Sequence, residues 1–201
     1  MATFTGDGRL QGPLTMNEIT RAQHAQEDLA SYFIPWGNWR VWDAFQTVLP
    51  GTSATDDLGL YGGTFATASP SIRTYDVKTL TTTLYARTTL WLPPEYVAGE
   101  TVTLRFHAGM ITTVAGTSCT IDAQCYESDK ESGIGADLVT TAAQSINSLT
   151  LADKDFTVTP TTLSPGDILD LRIAISVVDA ATGTAVISTV GFAALLCDIR
   201  G

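Results

Sequence analysis

Lysine is almost missing from this 201-residue chain, with only Lys78, Lys130 and Lys154 present. Basic residues total 11 against 21 acidic ones, a formal net charge of −10, and charged residues together make up 16%. An average soluble domain carries roughly 25%. So few cations cannot neutralise a run of phosphates, which excludes DNA or RNA packaging. Cysteine is scarce as well. Cys119, Cys125 and Cys197 cannot build a disulfide framework, and an odd number fits a reducing site of synthesis. No stretch approaches 18 uninterrupted apolar residues, so no membrane-spanning helix is expected. The N-terminus has no basic segment followed by an apolar run, and no secretory signal is expected there.

Catalytic patterns are absent too. The chain holds no G-x-S-x-G, Walker A, G-x-G-x-x-G or H-E-x-x-H sequence. Gly133-Ile134-Gly135 is too short to cradle a phosphate. His24 and His107 stand apart from any nucleophile and read as surface residues. Acidic residues alternate in Asp153-Lys154-Asp155 and from Glu127 to Asp137, a pattern able to offer oxygens to calcium. Neither segment matches the EF-hand loop, and a solvated loop is the simpler reading. The expectation is therefore no enzyme, no cofactor and no metal ligand.

What the chain has is apolar and β-branched material. Hydrophobic residues make up 44%, and threonine occurs 32 times. From about residue 39 apolar residues recur with a period of two. Leu84, Ala86, Thr88, Leu90 and Leu92 alternate with Tyr85, Arg87, Thr89 and Trp91. Val102, Leu104 and Phe106 alternate with Thr103, Arg105 and His107. Leu169, Leu171, Ile173, Ile175 and Val177 alternate with Asp170, Arg172, Ala174 and Ser176, and Phe156 and Val158 with Thr157 and Thr159. One face in the core and one in water is the mark of antiparallel sheets. The threonines fit the same picture, supplying β-branched shape on half-exposed strands. Cys119, Ile121, Ala123 and Cys125 share one face of a strand, so the cysteines read as small buried hydrophobes rather than ligands. In an extended strand their sulfurs lie about 20 Å apart and cannot bond. Asp179 to Gly183 reads as a hairpin loop joining strand 168–178 to strand 184–190. Turn signals between about eight strands, without βαβ alternation, predict an all-β fold. We expect an antiparallel two-sheet sandwich of jelly-roll type over 51–201, preceded by an N-terminal arm, one helix and a connector over 1–50.

In that first part, residues 1–14 carry three glycines and a proline without periodicity, which reads as an arm. Thr15 offers an N-cap with Glu18 as its capping-box partner. Met16, Ile19, Ala22, Ala25, Leu29 and Ala30 then follow at helical spacing, predicting an amphipathic helix of about 15 residues that stops before Pro35. Next comes Trp36-Gly37-Asn38-Trp39-Arg40-Val41-Trp42. These tryptophans read in three ways: as packing that fixes arm and helix to the sandwich, as a subunit contact, or as a platform for sugar rings. Acidic residues able to bond sugar hydroxyls are sparse beside them in the sequence. Trp36, Trp39 and Trp42, with Phe4 and Arg9 of the arm, are the candidate interface residues.

Three further segments carry a resemblance: Leu92 to Arg105, Leu163 to Arg172, and Asp179 to Ile187. With the Thr/Ala/Gly-rich texture of residues 70–200 and a last strand ending in Cys197 and Arg200, the chain resembles the head decoration (cement) proteins of tailed bacteriophages. The resemblance implies a jelly-roll-like sandwich, made in the host cytoplasm and bound as a homotrimer to the major capsid protein on the capsid exterior, where it stabilises the shell without catalysis. It also implies that the arm or helix reaches onto the shell or a sister subunit. A single-jelly-roll capsid protein fits less well, because residues 1–14 hold only Arg9 against Asp7 and so no basic arm. The alternative is a tail or fibre-associated sandwich that binds host-surface glycan.

Overall fold

The computed structural model describes residues 3–4, 10–11, 29–180 and 183–199. Its strands are β1 (Thr3–Phe4), β2 (Leu10–Gln11), β3 (Ala30–Phe33), β4 (Gly59–Tyr61), β5 (Ser71–Arg73), β6 (Thr81–Trp91) and β7 (Val102–Met110). They continue with β8 (Ser118–Ser128), β9 (Ile134–Asp137), β10 (Gln144–Ser145), β11 (Ala152–Val158), β12 (Ile168–Val178) and β13 (Ser188–Cys197). β1 pairs only with β2. The others form two sheets, β10-β8-β12-β6 with β9 on β8, and β11-β7-β13-β5-β4 with β3 on β13. All paired strands run antiparallel. The expected two-sheet β-sandwich is the observed fold.

Period-two patterning is what builds it. On β12, Leu169, Leu171, Ile173, Ile175 and Val177 are all buried, and so are Leu84, Ala86, Thr88 and Leu90 on β6. On the opposing sheet Val102, Leu104 and Phe106 of β7 face them, with Phe106 edge-on to Phe156 of β11 at 5.8 Å. Such a ring pair contributes about 0.5–1.5 kcal/mol beyond the area it buries. Cys119 and Cys125 are buried on β8, and Cys197 is buried on β13. Burial pushes the Cys119 and Cys125 thiols up to about 12 and Cys197 up to about 11, so they behave as small hydrophobes.

Two sequence expectations are corrected. The hairpin between 168–178 and 184–190 does not form. β12 is central and hydrogen-bonded along its length by β6 on one edge and β8 on the other, which leaves no edge for β13. β13 begins at Ser188 and joins the opposite sheet. The helix does not include Ala30, because Ala30–Phe33 is strand β3, with Ala30 opposite Cys197 and Phe33 opposite Ala194. β5 covers β13 only at Thr189 and Val190, so the rest of that edge is open to the Ser31-Tyr32-Phe33 run. Leu29 is not helical either, and the rest of the predicted helix, with Thr15, Glu18 and His24, lies outside the described residues. Among the described residues the helical structure is one 3-10 turn, Trp36–Asn38, and no helix is long and apolar enough to cross a membrane.

The connector over residues 39–58 positions the site. It runs along the outer edge of β6, where Arg40 and Arg87 exchange backbone bonds of 2.8 and 3.0 Å. Further on, Tyr85 N–H donates to Asp56 C=O at 2.7 Å and Leu58 N–H to Tyr85 C=O at 2.8 Å. An exposed sheet edge invites mispairing, and here the chain's own connector covers part of it. Its return is tight. A Cβ on Gly59 would stand 2.4 Å from the Ser53 nitrogen, so only glycine fits.

Candidate functional site

The outward side chains of β6, β12 and β8 form a grid fixed by register. One row is Arg87, Arg172 and Gln124. The rows beside it are Tyr85, Ala174 and Asp122, and then Thr89, Asp170 and Tyr126. The first row sets two guanidinium groups directly opposite each other, which is unfavourable unless each is compensated. Arg87 is compensated diagonally: its Nε donates to Asp170 Oδ1 at 2.7 Å, and its Nη2 donates to Asp170 Oδ2. That bidentate bond raises the Arg87 pKa above its ordinary value. Arg172 is held differently. Its Nη2 donates to Gln124 Oε1, and its guanidinium lies 5.2 Å from the Trp42 ring centre and 5.0 Å from that of Tyr85.

The connector supplies the overhang. Trp42 packs against Tyr85 at 5.0 Å and donates its Nε1 hydrogen to Asp56 Oδ2 at 3.1 Å. Phe45 covers Arg87, with 5.0 Å from guanidinium to ring centre. Asp57 sits behind them with its pKa raised, first by burial and then by the nearby Asp56 and Asp43 carboxylates. Between overhang and grid lies a groove of about 340 Å3, walled by Trp42, Asp43, Tyr126 and Ile134 and floored by Arg87, Gln124, Asp170 and Arg172. A hollow beside loop 62–70 is larger, at about 620 Å3, but no charged side chain lines it. A second hollow of about 500 Å3 sets Leu29, Phe192 and Leu196 around Arg105 and Asp153, which pair with Asp155 and His107. The groove is the one in which aromatic walls from the connector stand over convergent polar groups.

The candidate tryptophans separate. Trp36 packs partly buried against the core and meets Phe33 edge-on at 5.6 Å. Trp39 is 1% exposed and is a core residue, its Nε1 without a hydrogen-bond partner. Trp42 alone reaches the groove. Phe4 lies in β1, paired with Leu10 across β2, and Arg9 lies outside the described residues. The scarcity of acidic residues beside the tryptophans holds along the sequence but not in space, since Trp42 bonds Asp56 and shares the groove with Asp43 and Asp170, and Arg172 lies over its ring. The signal for Asp170, Arg172 and Gln124 was a run of charged and amide side chains at outward strand positions.

The acidic segments read as calcium candidates are internally occupied. Asp129 Oδ1 accepts from the Glu131 and Gly133 N–H groups at 2.8 and 2.9 Å, and Lys130 pairs with Asp167 at 2.8 Å. Asp155 accepts from Arg105, and Asp153 lies 2.6 Å from His107 Nδ1. Among the described residues no group of three His, Cys, Asp or Glu side chains is placed to hold a metal ion.

No family model matches the chain, and no curated protein matches it. Among solved structures it is similar to the CBM22-1 xylan-binding domain from Paenibacillus barcinonensis Xyn10C, at 12% identity and a TM-score of 0.44, covering 87% of this chain and 97% of that one. It is also similar to a xylan-binding module CBM15, at 9% identity and a TM-score of 0.41, covering 86% and 99%. A third is the C-terminal family 22 carbohydrate binding module of Clostridium thermocellum Xyn10B, at 12% identity and a TM-score of 0.42, covering 82% and 88%. Likeness at this level assigns no role to any residue of this chain.

Proposed function

We propose that this chain is a non-enzymatic binding module that takes a glycan in the groove over β6, β12 and β8. The observation that carries the reading is the grid floor. There the Arg87–Asp170 pair and the Arg172–Gln124 pair set donors and acceptors side by side, beneath apolar walls at Trp42, Tyr126 and Ile134. A sugar hydroxyl both donates and accepts, so neighbouring hydroxyls match such pairs, while the C–H face of the ring packs on an aromatic wall. Among the described residues no histidine or cysteine lines the groove, and Asp170, one of its two carboxylates, is tied to Arg87. A glycan array tests this. The wild-type chain is expected to retain specific oligosaccharides, and Tyr126→Ala or Trp42→Ala to weaken retention about tenfold or more while the fold persists. An array on which nothing binds overturns the reading.

A second reading, the one the phage resemblance implies, has this sandwich coating a capsid as a trimer. One observation favours it: Phe33 and Trp91 are 47% and 58% exposed beside Tyr32 and Ile168 on one apolar groove, surface of the kind subunit contacts cover. Light scattering is expected to give a trimer in that case, and purified protein to bind phage heads. A monomer that leaves heads uncoated overturns it.

A further inference from the structure

The groove's least satisfied group says which glycan it takes. Arg87 and Arg172 stand opposite each other on adjacent strands, in a chain where acidic residues outnumber basic ones 21 to 11. Asp170 neutralises Arg87. Among the described residues Arg172 makes no ion pair: its partners are the Gln124 amide oxygen and the rings of Trp42 and Tyr85. A guanidinium carries five N–H donors, and one of those of Arg172 is spent on Gln124. The two rings and the amide also hold the planar group in place before anything binds, so little side-chain freedom is lost when it pairs. The geometry matches a carboxylate, which a fixed guanidinium receives through two parallel bonds.

We infer that the glycan bound in this groove carries a carboxylate, as a uronic or sialic acid does, and that Arg172 receives it. The inference rests on the glycan reading above and names the ligand class for that site. The charge on the ligand is single rather than repeated. Asp43 on the groove wall and the net charge of −10 repel a polyanion, whereas one acidic sugar on a neutral oligosaccharide meets Arg172 at short range.

The experiment is an array, followed by calorimetry, in which each acidic oligosaccharide stands beside its methyl ester and its neutral parent. Sialyllactose with lactose, and glucuronic acid-substituted with unsubstituted xylo-oligosaccharide, are two such sets. The wild-type chain is expected to bind an acid about tenfold or more tighter than its ester, since a charge-assisted bidentate bond is at stake. That preference is expected to shrink in 0.5 M salt and to vanish in Arg172→Gln, while Arg172→Lys keeps part of it. The ester control needs no variant, so the test stands even if Arg172→Gln does not fold. Equal binding of acid and ester overturns the carboxylate inference and leaves the glycan reading intact. An acid preference that survives in folded Arg172→Gln also overturns it, because the carboxylate then binds elsewhere. Failure of every oligosaccharide to bind overturns both.

Discussion

On the outer face of the second sheet, Arg105 of β7 lies opposite Asp155 of β11 and donates two bonds to it, at 2.7 and 2.6 Å. Next to it His107 lies opposite Asp153. On the outer face of the first sheet the residue opposite Arg172 is Arg87. Both faces come from the same alternation on strands of similar length, and both carry arginine at outward positions. They differ in where compensation comes from. On the second sheet the cross-strand neighbour is the counter-charge, so the face is complete within its own ladder. On the first sheet the cross-strand neighbour repels. Compensation there comes from a diagonal carboxylate and from Trp42, Phe45 and Tyr85, two of which the connector carries in from elsewhere in the chain. Both faces carry a hollow, but at Arg105 and Asp153 it is lined by charges paired within the sheet, whereas the groove over β6, β12 and β8 is floored by charges that remote parts of the chain hold.

The contrast is sharpest at Asp170. Its side chain is 13% exposed and that of Arg87 is 34% exposed, so solvent screens the pair only in part. Replacing Asp170 with alanine strips Arg87 of both bonds and leaves two guanidinium groups facing each other. We expect a loss of about 1–3 kcal/mol, read from the urea midpoint at unchanged slope. Addition of sulfate is expected to recover part of that loss. A loss no larger than that of Asp155→Ala breaks the contrast between the faces.

Inward positions were legible because burial leaves no freedom. With a period of two, Leu169 to Val177 and Leu84 to Leu90 have one arrangement that keeps apolar groups dry, and the structure adopts it. Arg87, Asp170 and Arg172 were legible as outward residues for the same reason. Their mutual placement was not. Register between β6 and β12 depends on which strands share a sheet, and local turn signals mispaired β12 with β13. The tryptophans show a related limit. Spacing of three places side chains on one face of an α-helix, but Trp36–Asn38 is a single 3-10 turn followed by extended chain. There Trp36, Trp39 and Trp42 diverge to the margin of the core beside Phe33, the core itself and the groove.

The cysteines offer a second way to compare the sheets, from behind. Cys125 backs the groove on β8 with Cys119 farther along the same strand, while Cys197 backs the paired-charge sheet on β13. Burial raises the first two thiols from 9.0 to about 12 and Cys197 from 9.0 to about 11. A folded-state pKa above the unfolded value means the native chain keeps the proton longer. The stabilisation is therefore full below pH 9 and is lost as pH rises through about 11 for Cys197 and about 12 for the others. At pH 8 a thiol reagent is expected to leave all three untouched in native protein and to label all three in urea. With rising pH Cys197 is expected to react first, and mass mapping identifies the labelled site. Earlier labelling of Cys125 places the weaker packing behind the groove instead.

The smallest expected effect lies on the second sheet. Arg105 and Asp155 are 35% and 45% exposed, so water and salt screen their attraction, and holding two long side chains together costs entropy. Pairs of this kind contribute about 0.2–1 kcal/mol. Asp155→Ala is expected to cost no more than that, because Asp153 stands 3.6 Å from Arg105 and inherits the charge. The loss is expected to fade in 0.5 M salt, whereas that of Asp170→Ala persists in part, the Arg87–Asp170 pair being less open to solvent. Urea titrations of the two variants at low and high salt measure the difference directly. A matching salt dependence in both means the two faces hold their arginines by the same means, and the groove then loses its electrostatic distinction.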